Sequence, residues 1–132
     1  MITHTTKIRT RYGEVDQMGY VYHANYVSYC HQARTELLRK YGINDQVLEE
    51  NNIMLPVINF NIDYKSPANY DELLTIETTL TEIKGPKMAF DFKIVDEKGK
   101  RICEAFSVVA FVNANSRKPI RLPDIVKTAL KI

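Results

Sequence analysis

Between a stretch that alternates like a strand and one that repeats like a helix, the chain reads GEVDQMGYVYHANY, Gly13 to Tyr26. This single connection holds two acids, a histidine and three tyrosines. A carboxylate such as that of Asp16 can take a proton from water or attack an electrophilic carbon, and the imidazole of His23 can orient either partner. The best helical pattern of the chain begins directly afterwards. The first N–H groups of a helix lack intrahelical partners and carry the positive end of its dipole, so they can hold an oxygen that becomes negative. The loop alone also has plainer readings: Asp16 as an Asx-turn, His23 as a surface or capping group, Asn25 as the helix N-cap, Tyr22 and Tyr26 as packing groups. Glu14, two residues before Asp16, reads as a solvated acid rather than half of a like-charge pair.

Other reactive side chains are poorly spaced for chemistry. Cys30 and His31 are adjacent on the helical pattern and point about 100° apart, which spoils a nucleophile–base pair. His4, His23 and His31 have no close spacing, and Cys30 and Cys103 form no C-x-x-C, so neither a metal site nor a redox pair is expected. Both cysteines are expected to be small buried thiols. No metal and no bound cofactor is implied.

The elements that must position the loop follow from periodicity. In NYVSYCHQARTELLRKYG, Tyr26, Cys30, Ala33, Leu37 and Tyr41 fall on one helical stripe that Val27 and Leu38 widen, with Gln32, Arg34, Glu36 and Arg39 on the polar side. Asn25 and Gly42 suit its two ends, and its length gives four to five turns. The period then falls to 2. Ile58, Phe60, Ile62 and Tyr64 alternate with polar residues, as do Leu74, Ile76 and Leu80, and Met88, Phe90, Phe92 and Ile94. Gly85-Pro86 and Gly99 punctuate the turns, and RICEAFSVVAFVN is apolar on both faces around Val108 to Val112, as an interior strand would be. With THTTKIRTRY as an opening strand and a short helix after Pro123, the pattern predicts an α+β fold in which an antiparallel sheet of about five strands wraps one long helix. Open sheet edges make a homo-oligomer, dimer or tetramer, the physical expectation.

Composition limits the partners. The chain has 132 residues, 45% of them hydrophobic, enough for a single domain over 1–132 with one core. Its +2 charge comes from 18 basic and 16 acidic residues scattered along the chain, so nucleic acid is not an expected partner. No apolar run approaches the roughly 20 residues of a membrane span, and MITHTTKIRTRYGE lacks the apolar core of a secretory signal. A cytoplasmic location is therefore expected.

The run DQMGYVYHANY from Asp16, leading into ARTELLRKYG, resembles the hotdog-fold acyl-CoA thioesterases related to 4-hydroxybenzoyl-CoA thioesterase, particularly the bacterial branch associated with the Tol-Pal envelope system. That pattern sets an acid, two variable residues, a glycine, an apolar-aromatic run, an aromatic or histidine, a small residue, Asn or Ser, and Tyr. Asp16, Gly19, Val21-Tyr22, His23, Ala24, Asn25 and Tyr26 match it, and LPVINFNIDYKSPANYDELLTIET extends the likeness over most of the chain. Another thioesterase branch carries its acid inside the helix, where this chain has none before Glu36. The proline-rich histidine motif of hotdog dehydratases is absent around His23.

The resemblance implies hydrolysis of an acyl-CoA thioester to free acid and CoA, with CoA part of the substrate. It gives Asp16 the role of general base or of nucleophile forming a mixed anhydride, and the backbone N–H of His23 that of polarising the carbonyl. Gly19 would allow the tight turn, while Tyr22, Asn25 and Tyr26 would position substrate. Candidates for the CoA phosphates are Lys84 and Lys87, and Arg117, Lys118 and Arg121. Acyl carrier protein as the thioester donor, an aromatic acyl group of the menaquinone pathway, and non-catalytic acyl-thioester binding remain alternatives.

Overall fold

Side chains that alternate along a strand must bury one face, and here that face closes on a helix. In the computed structural model, which describes residues 2–132, the strands β1 (Ile2–Arg9), β3 (Val57–Tyr64), β4 (Leu73–Lys84), β5 (Lys87–Val95) and β6 (Arg101–Ala110) form one antiparallel sheet in the order β1-β4-β5-β6-β3. The long helix α1 (Asn25–Lys40) packs on it, chiefly against β1 and β4. A six-residue helix α2 (Asp45–Glu50), the two-residue strands β2 (Ile53–Met54) and β7 (Val112–Asn113), which pair with each other, and α3 (Asp124–Leu130) complete the fold.

The cross-strand rows explain the core. Leu80, Phe90 and Ser107 stand side by side, as do Thr78, Phe92 and Ala105, then Ile76, Ile94 and Cys103. All are buried, beneath the helix stripe of Tyr26, Cys30, Ala33 and Leu37. A register shift between Leu80 and Glu82 in β4 is the kind of irregularity that bends a strand and lets the sheet curl. β6 lies between β5 and β3, the interior position its two-faced apolar run predicts.

Four expectations need correction. Asn25 is not the N-cap: Ala24 occupies that position, and the Asn25 amide donates to the carbonyl of Glu14 at 2.8 Å. Val27 is exposed, turned off the stripe, whereas Arg34 is buried with 6% exposure. Arg34 lines a cavity with Ile43 and Leu48, because α2 and the segment leading to it fold back beside this part of α1. The apolar face of β3 is incompletely covered, because β3 is an edge strand at the opposite end of the sheet from β1; Ile58 and Tyr64 remain 51% and 48% exposed.

Candidate active site

The loop is built by backbone pairing before any side chain acts. Val15 bridges Val21 in a small antiparallel turn, with the Asp16 N–H donating to Tyr20 O at 2.8 Å and the Gly19 N–H to Asp16 O at 3.0 Å. Gly19 has φ +79°, a conformation costly for other residues, so glycine closes this turn. Asp16 Oδ1 accepts from the N–H of Met18 at 2.8 Å and of Tyr20 at 3.3 Å, an Asx-turn. Oδ2 makes no hydrogen bond among the described residues. The carboxylate is therefore oriented through one oxygen, leaving the other for chemistry.

Glu14 anchors this loop to the helix. Its carbonyl accepts from the N–H of Tyr22 and the amide of Asn25 at 2.8 Å each, and its carboxylate from the Arg11 N–H at 2.8 Å and the Tyr29 hydroxyl at 2.9 Å. Arg11 adds an ion pair at 3.2 Å. Burial works to raise the Glu14 pKa, but these donors outweigh it and hold the carboxyl below its ordinary range. The expectation of a solvated acid is thus corrected. Its partner Tyr29 is buried, and burial followed by the Glu14 contact pushes the phenol's pKa up, so it stays a donor.

The helix start supplies the unspent amides. The N–H groups of Asn25, Tyr26 and Val27 donate three residues back, to Tyr22, His23 and Ala24, tightening the first turn. Those of His23 and Ala24 make no hydrogen bond among the described residues. The His23 ring is exposed, 4.5 Å between centroids from Tyr22 and 6.2 Å from Tyr64. Tyr26 is buried, its hydroxyl accepting from the Ala68 N–H at 3.3 Å, and burial pushes its pKa to about 12.

Asp16, His23 and Tyr26 line one depression of about 340 Å³, together with Tyr64, Lys65 and Ser66. Gly19 lines an adjoining one with Asp16, Tyr12 and Tyr70. The phosphate candidates are elsewhere in the chain. Asp16 lies near the Leu73 end of β4, since Thr10 pairs with Glu72 there, whereas Lys84 and Lys87 close the far end, about 35 Å along the strand at ~3.3 Å per residue. Arg117 and Lys118 belong to a turn beyond β7 at that same far end, where the Phe111 N–H meets Pro86 O; Arg121 follows that turn. Sequence reasoning missed Lys65, the cation that lines the depression with Asp16. Its signal was its place directly after the alternating strand that ends in Tyr64. Among the described residues no group of three or more His, Cys, Asp or Glu side chains is placed to hold a metal.

With this geometry the comparisons agree on one lineage. A family model described as the Thioesterase-like superfamily matches residues 10–130. The chain belongs to the thioesterase-like superfamily. The acyl-CoA thioesterase YbgC of Haemophilus influenzae is 35% identical over 123 residues, 92% of this chain and 90% of that one. The acyl-CoA thioester hydrolase YbgC of Escherichia coli strain CFT073 is 32% identical over 124 residues, 94% and 92% of the two chains. Among solved structures, a DHNA-CoA thioesterase from Staphylococcus aureus matches with a TM-score of 0.91 at 29% identity, covering 99% of this chain and 90% of that one. This thioesterase-like chain therefore has the hotdog fold, with α1 held in the curved sheet.

Proposed function

We propose that this protein hydrolyses acyl-CoA thioesters, using Asp16 against a carbonyl held by the N–H of His23. One observation carries the reading: a carboxylate tied down through a single oxygen lines the same depression as a helix-start residue whose amide is unspent. Attack on the thioester carbon moves charge onto its oxygen, where the His23 N–H and the positive end of α1 stabilise it, a donor worth roughly 10²–10³ in rate. The C–S bond then breaks and the CoA thiolate leaves, taking a proton to become free thiol. If Asp16 acts as base, water supplies the attacking oxygen directly; if as nucleophile, water opens a mixed anhydride in a second step. Both routes balance as thioester plus water giving acid plus thiol.

Lys65 at the depression offers positive charge for a CoA phosphate, and Tyr26 and Tyr64 offer aromatic walls that favour an aromatic acyl group within the substrate range. Lys84, Lys87, Arg117 and Lys118 would serve CoA only if a second copy brought them to the site. The uncovered apolar edge of β3 supports such a homo-oligomer. Two unpaired buried thiols suit the reducing cytoplasm, where CoA esters occur.

The test is release of free thiol from short, long and aromatic acyl-CoAs and from acylated carrier protein. Turnover of at least one donor, falling by about 10²-fold or more in Asp16→Asn, is the expected result. Equal rates for both proteins would remove the mechanism, and tight acyl-CoA binding without release would make the protein a binder.

A further inference from the structure

A second cavity, of about 350 Å³, lies between α1, α2 and β2 and shares no lining residue with the Asp16 depression. Its walls include Leu38, Ile43, Leu48 and Ile53, all buried, and set among them is Arg34, 6% exposed. Buried guanidinium groups are ordinarily matched by carboxylates, because an uncompensated charge in a low-dielectric interior is costly. Arg34 has no carboxylate in direct contact. Among the described residues no carboxylate lies within the 4.0 Å of an ion pair with it. Its Nη2 meets only the Nδ1 of His31, at 2.9 Å, and its Nε is enclosed without any partner. Asp45 and Glu49 are the exposed acids of the lining; the charge of Asp45 reaches Arg34 and His31 through space, yet neither acid forms an ion pair with the guanidinium.

We infer that this cavity is a binding site for an apolar monocarboxylate, its carboxylate on the outer edge of the Arg34 guanidinium and its chain against Leu38, Ile43, Leu48 and Ile53. The planar guanidinium fork fits carboxylate geometry, and the volume is at the lower end of those of small-molecule sites. The two exposed acids disfavour a multiply charged anion such as phosphate, while the apolar walls disfavour a small hydrated one. His31 is poised to accept from Arg34 through an unprotonated Nδ1, which leaves Nε2 as the ring's donor. Burial, then the neighbouring guanidinium, hold its pKa below the ordinary value, in keeping with that neutral form. The inference is independent of the chemistry at Asp16.

Octanoate is the probe, with octanamide as its uncharged analogue and acetate as the anion without a chain. In the native protein, octanoate at a hundredfold excess over its Kd is expected to raise Tm by at least about 3 °C and to move the NMR resonance of the enclosed Arg34 Nε–H, whereas octanamide and acetate do neither. Arg34→Met, which removes the charge at similar volume, should lose the octanoate response without a lower Tm of its own. Leu48→Trp, which fills the cavity from α2 and keeps Arg34, should lose it as well. Both variants should retain acyl-CoA hydrolysis. Stabilisation that survives in either folded variant, or an Arg34 resonance unmoved by octanoate in the native protein, would overturn the proposal, the first outcome assigning octanoate to the Asp16 depression.

Discussion

The hydroxyl of Tyr64, the last residue of β3, donates to the carbonyl oxygen of His23 at 3.1 Å, joining a strand to the helix start 41 residues away. Fixing this carbonyl fixes the peptide plane that leaves His23, and with it the backbone that carries the His23 N–H proposed to hold the thioester oxygen. Tyr64→Phe should therefore lower kcat for thiol release several-fold while costing about 0.5–1.5 kcal/mol of stability. Steady-state kinetics beside a urea titration checks both, and an unchanged kcat would detach Tyr64 from the reaction.

The Asx-turn at Asp16 lets two substitutions separate holding from chemistry. Asparagine keeps an Oδ1 acceptor for Met18 and Tyr20 but loses the ionised oxygen, so Asp16→Asn should fold with a Tm close to native and lose about 10²–10⁴ in rate. Asp16→Ala loses the turn as well and should also be less stable, by about 1 kcal/mol. Comparable thermal curves for the two variants would show that the turn contributes little.

Glu14 supplies a pH dependence with a definite sign. Its folded pKa lies below the ordinary 4.5, so its contribution to stability is fully present above that value and is lost as pH falls through the lower folded one. The stability gap between native protein and Glu14→Gln should be constant near neutrality and shrink only on acidification below 4.5. Removing the donor instead, in Tyr29→Phe, should cost about 1.5–3 kcal/mol, since the bond is to a charged acceptor. Denaturant titrations across pH read both effects.

The exposed β3 edge makes the assembly testable. Ile58, 51% exposed on that strand, is replaced by lysine in Ile58→Lys, which puts a charge where a paired strand would pack. Native protein should sediment as an oligomer and the variant as a folded monomer with reduced thiol release. A native protein that sediments as a monomer would remove the oligomer.

What the sequence revealed divides along physical lines. The stripe through Cys30, Ala33 and Leu37, and the alternation of Met88, Phe90, Phe92 and Ile94, are local periodicities, so the helix and its sheet could be read directly. The six residues of α2 are too few to show a period; only Asn44, whose side chain accepts from the Val47 N–H at 2.9 Å, marked its start. Burial of Arg34 follows from that unforeseen helix, and no pattern within α1 could announce it. At the candidate site, the roles of Asp16 and Gly19 came from the resemblance to the thioesterase pattern, the loop alone reading as an Asx-turn, whereas the Glu14–Tyr29 bond joins positions that share no repeat. Charge patterns carry no distance, so they single out Lys84 and Lys87 and pass over Lys65.

The two cysteines have a practical consequence. Cys30 and Cys103 are 0% and 1% exposed, and burial pushes both thiols up, Cys103 to about 12. Thiols so enclosed and protonated react slowly, so a disulfide reagent used to count released CoA should show almost no background from folded enzyme. The same reagent, added without substrate, would then register opening of the interior itself, giving each variant an internal clock for unfolding.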